Sequence, residues 1–113
     1  MMNINPILLK LKEATGLPVA PDLYMGDAKR YLVFNYASEM PSLSGDDSPV
    51  ADTALIQVHL YLPCGENYME WKETIRDFLE QNGFDDIEIQ STVEPDMKYT
   101  HVIFECEYTE GRE

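Results

Sequence analysis

Two histidines are the side chains in this sequence best suited to proton transfer or metal binding. His59 and His101 each lie in a stretch where apolar and polar residues alternate, and both fall on the polar side of that alternation. A period of two predicts strands, so neighbouring strands could bring the two imidazoles together on one sheet face. Glu105 and Glu107 fall on the same face. A metal site needs further convergent ligands and supporting hydrogen bonds, so we expect polar surface histidines and no metal.

The other reactive residue types form no recognisable motif. Cys64 precedes a predicted helix, where a thiolate is favoured, but no histidine lies near it in the sequence. Asp46, Asp47 and Asp52 lack the alternate spacing and closing glutamate of a calcium-binding EF-hand. The sequence contains no phosphate-binding glycine loop, zinc ribbon or nucleophile elbow. We therefore predict no catalytic residues, no metal and no cofactor.

The strand predicted over residues 53–62 organises the elements that carry these side chains. Its alternation puts five apolar residues on one face, namely Ala54, Ile56, Val58, Leu60 and Leu62. Further strands are predicted over residues 31–37, 86–93 and 99–108, each with one apolar face, and Cys106 lies on the apolar face of the last. The four strands would share one buried side of a sheet.

Two amphipathic helices are predicted to cover that buried side. The first begins at Asn5 and Pro6, with Asn5 as its cap, and ends at Gly16. The second is capped by Asn67 and ends at Gly83, and an apolar face runs along it through Tyr68, Trp71, Ile75, Phe78 and Leu79. Between the first helix and the first strand, residues 17–27 read as an extended connector.

These elements predict an α+β fold in a single domain over residues 1–113. We expect a two-layer α/β sandwich, with a mainly antiparallel four-stranded sheet and two helices on one face, in the order α-β-β-α-β-β. The serine-, proline- and acid-rich segment 38–52 is predicted to be a long flexible loop that becomes ordered on meeting a partner. Residues 109–113 are predicted to be a frayed tail.

The other face of the predicted sheet is too apolar for a surface that meets only solvent. It carries Val33, Leu55, Tyr61 and Ile103 among polar residues. Apolar patches of this kind are typical of protein contacts, so these four residues are the predicted interface with other subunits or partners.

The net charge sets limits on the partners of this chain. Twenty-one acidic residues against eight basic ones give −13. Such a charge disfavours binding to a nucleic-acid backbone or an anionic membrane, and it favours solubility. The two cysteines form no disulfide framework, and no stretch approaches a membrane span or a cleavable signal. We therefore expect synthesis in a reducing cytoplasm.

Taken in order, the segments resemble the tail terminator proteins of long-tailed bacteriophages, also called tail completion, neck or minor capsid proteins. The matching features are the first helix running into GLPVAPDLY, the strand RYLVFNY and the polar segment SEMPSLSGDDSPVAD. They continue with a strand ending in LYLP, the helix YMEWKETIRDFLEQNGF and the hairpin IEIQSTVEPDMKYTHVIFECEY. The resemblance spans nearly the whole chain and lies in the order and size of its elements.

The resemblance implies a structural protein of the virion, assembled in the cytoplasm of a bacterial host. Its subunits would form a ring, typically of six, that caps the tail tube and joins it to the head connector. The family has no catalytic residues, and segment 38–52 would make ring and tube contacts. DNA would pass through the ring without specific binding, and carboxylates lining the lumen would repel its phosphates. Glu39, Asp46 and Asp47 are the predicted lining.

Two other classes of function compete with this one. A cytoplasmic acidic α/β adaptor without catalytic activity would have the same charge and the same long loop. A small-molecule-binding or enzymatic domain has no motif in its favour. Neighbouring genes for portal, capsid and tube subunits would separate the first two classes.

Overall fold

The structure, a computed structural model, describes residues 2–43 and 49–111. Its helices are α1 (Asn5–Leu8), α2 (Leu11–Thr15) and α3 (Met69–Gln81). Its strands are β1 (Val19–Pro21), β2 (Tyr31–Leu43), β3 (Pro49–Pro63), β4 (Asp85–Val93) and β5 (Tyr99–Gly111). The α+β class, with helices packed on one sheet, is confirmed. The predicted strand count and element order are wrong in detail, because the described residues form a five-stranded sheet.

The sheet has the order β1-β2-β3-β5-β4, with antiparallel pairing everywhere except at β1. β1 runs parallel to β2, with Val19 opposite Leu32. It lies within residues 17–27, where two prolines and the Gly26-Asp27 turn predict an extended connector, so this short strand corrects that prediction. Its place is set by backbone bonds to β2, from Leu32 N–H to the Pro18 carbonyl at 2.8 Å and from Asp22 N–H to the Phe34 carbonyl at 2.8 Å.

The predicted N-terminal helix is broken into α1 and α2 by a tight turn. The amides of Lys10 and Lys12 bond to carbonyls three residues back, at 3.1 and 3.2 Å. Asn5 lies inside α1 and does not cap it; instead the Asn3 side chain accepts the Asn5 N–H at 3.1 Å. Gly16 ends α2 as predicted, with a φ of 75° that glycine adopts without steric cost.

Helix α3 matches its predicted position closely. The Asn67 side chain accepts the Met69 N–H at 2.9 Å, which satisfies one of the free amides at the start of the helix. Gly83, at a φ of 89°, follows the end of the helix. Ile75 and Leu79 are fully buried, whereas Trp71 and Phe78 pack against the edge of the core and stay half-buried.

The core lies between the helices and one face of the sheet, here called the inner face. Phe34, Val58 and Phe104 come from three neighbouring strands and are almost wholly buried. The helices contribute Leu8, Leu11, Ile75 and Leu79 to the same cluster. Cys106 is also buried there, as the alternation of β5 predicts. Burial of this apolar surface is the main force that holds the two layers together.

The predicted long loop at 38–52 is mostly strand. β2 continues to Leu43 and β3 begins at Pro49, with these two residues paired, and a bulge at Ala37 interrupts the ladder. Serine has low strand propensity and proline has no N–H to donate, but ladder hydrogen bonds join the remaining backbone groups whatever the side chains. β5 extends the ladder on the other side, so Gly111 pairs with Ala51 in place of the predicted frayed end at residues 109–111. Residues 44–48 and 112–113 lie outside the described part of the chain.

The extended strands form an arm at one end of the molecule, made of residues 40–43, 49–53 and 109–111. The molecule measures 52 × 26 × 25 Å along its principal axes. Met40, Thr109 and Glu110 are exposed, whereas Ala54 on the neighbouring part of β3 is fully buried. The arm therefore begins where the core ends.

Candidate functional site

The sheet face opposite the helices, here called the outer face, brings three rows of side chains together. Cross-strand pairing aligns residues of β2, β3 and β5 in each row. The first row is Tyr31, Tyr61 and His101; the second is Val33, His59 and Ile103; the third is Asn35, Gln57 and Glu105. All nine residues come from strand positions that point away from the core.

The four residues predicted as an interface all lie on this outer face. Val33 is buried, with 8% of its surface exposed. Leu55, Tyr61 and Ile103 are half-buried. The buried side chains of all three helices belong to the core on the inner face, so no helix among the described residues covers this one.

Four aromatic rings stack along one end of the outer face. Ring centroids lie 4.4 Å apart for Tyr24 and Tyr31, 5.0 Å for Tyr31 and Tyr61, and 4.3 Å for Tyr61 and His101. Tyr24 comes from the connector after β1, and its hydroxyl accepts the Ala28 N–H at 2.9 Å. Tyr24 was not among the predicted site residues, because no local sequence pattern indicates that the connector turns back onto Tyr31.

The two histidines lie at the centre of a line of hydrogen-bonded side chains, here called the polar chain. Glu94 Oε1 lies 3.0 Å from His101 Nδ1, and His101 Nε2 lies 2.7 Å from His59 Nδ1. His59 Nε2 in turn lies 2.7 Å from Asn35 Oδ1. The chain continues from Asn35 to Gln57 at 3.3 Å and from Gln57 to Glu105 at 3.2 Å. The predicted meeting of His59 and His101 is confirmed.

Both ends of the polar chain are carboxylates, which limits how its protons are arranged. The chain has five links, and a carboxylate can only accept. Two neutral imidazoles and two amides supply one hydrogen each along the chain, which serves four links. One added proton on His101 supplies the hydrogen for the fifth link, because His101 then donates to both Glu94 and His59. His59 is thereby free to donate to Asn35.

Burial determines the pH at which that proton binds. Desolvation, together with the charge of the neighbouring His101, lowers the pKa of His59 to about 4. Desolvation also lowers the pKa of His101, while the Glu94 carboxylate opposes that shift. Both imidazoles are therefore neutral at pH 7, and His101 takes the first proton on acidification. Among the described residues, no group of three or more His, Cys, Asp or Glu is placed to hold a metal ion.

The β4 side of the outer face carries acidic residues opposite one another. Glu88 pairs with Glu105 across the strands, and Asp85 pairs with Glu107. The hydrogen bond that protonated Glu107 donates to the Asp86 carboxylate, together with the negative charge of Asp86, raises the pKa of Glu107. Like charges at directly opposed positions destabilise a sheet, so this end of the outer face has a repulsion that its own residues do not neutralise.

The two cysteines are free thiols. Cys64 is exposed, and its nearest polar contact is the Thr100 hydroxyl at 3.8 Å from the sulfur. Burial raises the pKa of Cys106 to about 12, which makes that thiol a poor nucleophile.

Of the residues predicted to line a DNA channel, Glu39 faces the N-terminal segment. Its carboxylate accepts the Met2 N–H at 3.2 Å and borders an open hollow lined by Met2, Asn3, Asn5 and Tyr36. The Tyr36 hydroxyl donates to Asn5 Oδ1 at 2.8 Å and closes one side of this hollow. Asp46 and Asp47 lie outside the described residues.

Comparisons with known proteins inform the fold alone. No family model matches the chain, and no curated protein sequence matches it. One solved structure, of a protein without a descriptive name, is similar with a TM-score of 0.60 at 15% sequence identity. The match covers 97% of this chain and 94% of that one. No helix of the described residues is long and apolar enough to cross a membrane.

Proposed function

We propose that this chain is a structural subunit of a bacteriophage tail, of the tail terminator kind. Its copies assemble into a ring, typically of six subunits in that family, at the end of the tail tube. The ring joins the tube to the head connector, so the partners are further copies, the tube protein and a connector protein. Its place is the virion, after synthesis in the host cytoplasm. The chain acts by binding other proteins and not by catalysis.

The observation that carries this proposal is the arm, residues 40–43, 49–53 and 109–111. Three paired strands run past the end of the core, and Met40, Thr109 and Glu110 are exposed there. Ordering an exposed strand costs conformational entropy, which contact with another subunit would offset. Strands that extend beyond their own core also present backbone groups to a neighbour. An arm of this kind suits a subunit that reaches across to the next one.

The uncovered outer face gives independent support. A ring subunit contacts neighbours on two sides and its axial partners at the ends, so it needs more than one contact surface. The arm and the outer face are two such surfaces on a molecule 52 Å long. The proposed carboxylate-lined lumen remains part of this proposal for Glu39, Asp46 and Asp47.

The purified chain is mixed with tail tubes of a phage whose genome encodes this protein, and the mixture is imaged by electron microscopy. We expect rings at the tube ends. Met40→Asp places a charge on the arm, where Met40 is 59% exposed, and should abolish the rings. Met69→Asp places the same charge at the start of α3, where Met69 is 51% exposed, and should leave them intact.

Other outcomes would redirect the assignment. Bare tube ends with the unmodified chain, or neighbouring genes unrelated to phage assembly, would contradict the proposal. A chain that stays monomeric and still captures a defined cytoplasmic protein would fit the acidic adaptor instead. Equal loss of rings in both methionine variants would show that the arm has no special part in assembly.

A further inference from the structure

The charges on the sheet are all of one sign. β2, β3, β4 and β5 contain no lysine or arginine, although together they make up most of the sheet. The outer face carries Glu88, Glu105 and Glu107, and Glu94 lies at its end. Since His59 and His101 are neutral at pH 7, the carboxylates determine the charge of this face.

We propose that the outer face binds a cationic segment of a different protein, rich in arginine and lysine. The opposed Glu88 and Glu105 would each gain a counter-charge, and the like-charge repulsion between them would be relieved. This inference rests on the proposed function in tail assembly and adds the chemistry of one partner.

The aromatic stack adds a second reason for a cationic side chain. Tyr31 and Tyr61 are half-buried, so part of each ring remains accessible, and Glu94 is the carboxylate near both of them. A guanidinium group can stack on an aromatic ring while it bonds to a carboxylate, and the two contacts together favour arginine. The neighbouring Ile103, which is half-buried, supplies apolar surface for the stem of such a side chain.

The polar chain holds this surface in one arrangement. Gln57 donates to Glu105 at 3.2 Å, and Glu94 is held by His101 at 3.0 Å. Carboxylates that are already oriented lose less entropy when they bind a cation. The face is therefore prepared for its partner before the partner arrives.

A second copy of this chain does not match the outer face. Two outer faces placed together would oppose carboxylates to carboxylates. The helical side of a copy has four basic residues, Lys10, Lys12, Lys72 and Arg76, against five acidic ones, Glu13, Glu70, Glu73, Asp77 and Glu80. Arg76 also lies 3.7 Å from Glu80, so it is already paired. Neither side of a copy supplies the net positive charge that the outer face requires.

The test measures binding of a synthetic peptide of alternating arginine and serine to the full chain by calorimetry at physiological salt, where long-range attraction is screened. Two double variants remove the same formal charge from different places. Glu88→Gln with Glu105→Gln alters the outer face, and Glu73→Gln with Asp77→Asn alters the exposed side of α3. We expect about a tenfold loss of affinity for the first pair and about twofold or less for the second.

A further variant and a second method separate the face from the overall charge. Tyr61→Leu should weaken binding by about threefold or more while leaving the net charge unchanged. Amide shifts in nuclear magnetic resonance should change on β3, β4 and β5 when the peptide is added. Equal losses in the two double variants, or shifts spread evenly over α3, would overturn the inference.

The same proteins distinguish this inference from the proposed function. Sedimentation of the chain alone shows whether the outer-face variant alters self-association; if it does, the occupant is a second copy and the inference is wrong. Rings at tube ends without peptide binding would refute the cationic partner alone. Peptide binding at the outer face without rings would refute the tail assignment alone.

Discussion

At the scale of single residues, the polar chain is the feature with the sharpest chemistry. His59 Nδ1 and His101 Nε2 lie 2.7 Å apart, so the two imidazoles cannot both be protonated without placing two positive charges side by side. Glu94 contacts His101 and not His59, so it selects which ring takes the proton. The pair therefore titrates in two steps, with His101 first and His59 near pH 4.

The first prediction concerns Glu94→Gln, which removes the charge that opposes the lowering of the His101 pKa. We expect the pKa of His101 to fall further, since desolvation then acts against no nearby carboxylate. Imidazole nitrogen shifts followed between pH 7 and pH 4 would measure it. Glu105→Gln is the matched control, because Glu105 reaches the histidines only through Gln57 and Asn35. Identical His101 titrations in both variants would contradict the assignment.

The same shifts make stability depend on pH in a definite direction. In the unfolded chain His59 takes a proton near its ordinary pKa of 6.5, whereas in the folded chain it does so only near 4. The unfolded state thus binds more protons between these values, and lowering the pH favours it. The contribution of neutral His59 to stability is complete above pH 6.5 and is lost as the pH falls towards 4.

At the scale of elements, β3 contributes side chains both to the core and to the outer face. It pairs with β2 on one side and β5 on the other, and its residues alternate between the core and the outer face. Ile56 is wholly buried among core residues, while its neighbour Leu55 is half-buried on the outer face. Adjacent positions of one strand therefore lie in different environments, since Ile56 packs in the core and Leu55 lies on the outer face.

The second prediction compares alanine substitutions at these neighbours. Ile56→Ala leaves a cavity in a packed core and should lower the free energy of unfolding by about 2–5 kcal/mol. Leu55→Ala removes a similar volume from an open face and should cost about 1 kcal/mol or less. Urea unfolding followed by circular dichroism would measure both. Equal losses would mean that the outer face is packed like a core, against the arrangement described above.

At the scale of the whole molecule, the net charge of −13 is the dominant property. The ion pairs seen among the described residues are few and surface-exposed, with Arg30 bound to Glu66 and Arg76 near Glu80. Such pairs contribute little to stability. Most carboxylates consequently repel one another, and that repulsion weakens the folded state of the free chain.

The third prediction is that sodium chloride stabilises the free chain at pH 7. Raising its concentration from about 0.01 M to about 0.5 M shortens the screening length several-fold, which weakens the repulsion among carboxylates. A gain of about 1 kcal/mol would raise Tm by roughly 4 °C for a domain of this size. Calorimetric melts would test it. The control is the same series near the isoelectric point of about 4.3, where salt should have little effect.

The amino-acid sequence by itself determined the features that depend on local pattern. Alternation along β3 and β5 identified Ile56, Phe104 and Cys106 as buried, and helical spacing located α3 with its end at Gly83. Both patterns act within a few residues, because they record which side of one element meets the core. The same alternation placed His59, His101 and the four predicted contact residues on the opposite face.

Only the tertiary structure determined the features that depend on contacts between distant parts of the chain. β1 joins the sheet through backbone bonds to β2, and the arm is strand because β5 extends the ladder beside it. Tyr24 reaches Tyr31, and Glu94 reaches His101, through the path of connectors that carry no periodic signal. Backbone hydrogen bonds are the same for every residue type except proline, which has no N–H to donate, so their long-range pairing leaves little trace in the local sequence.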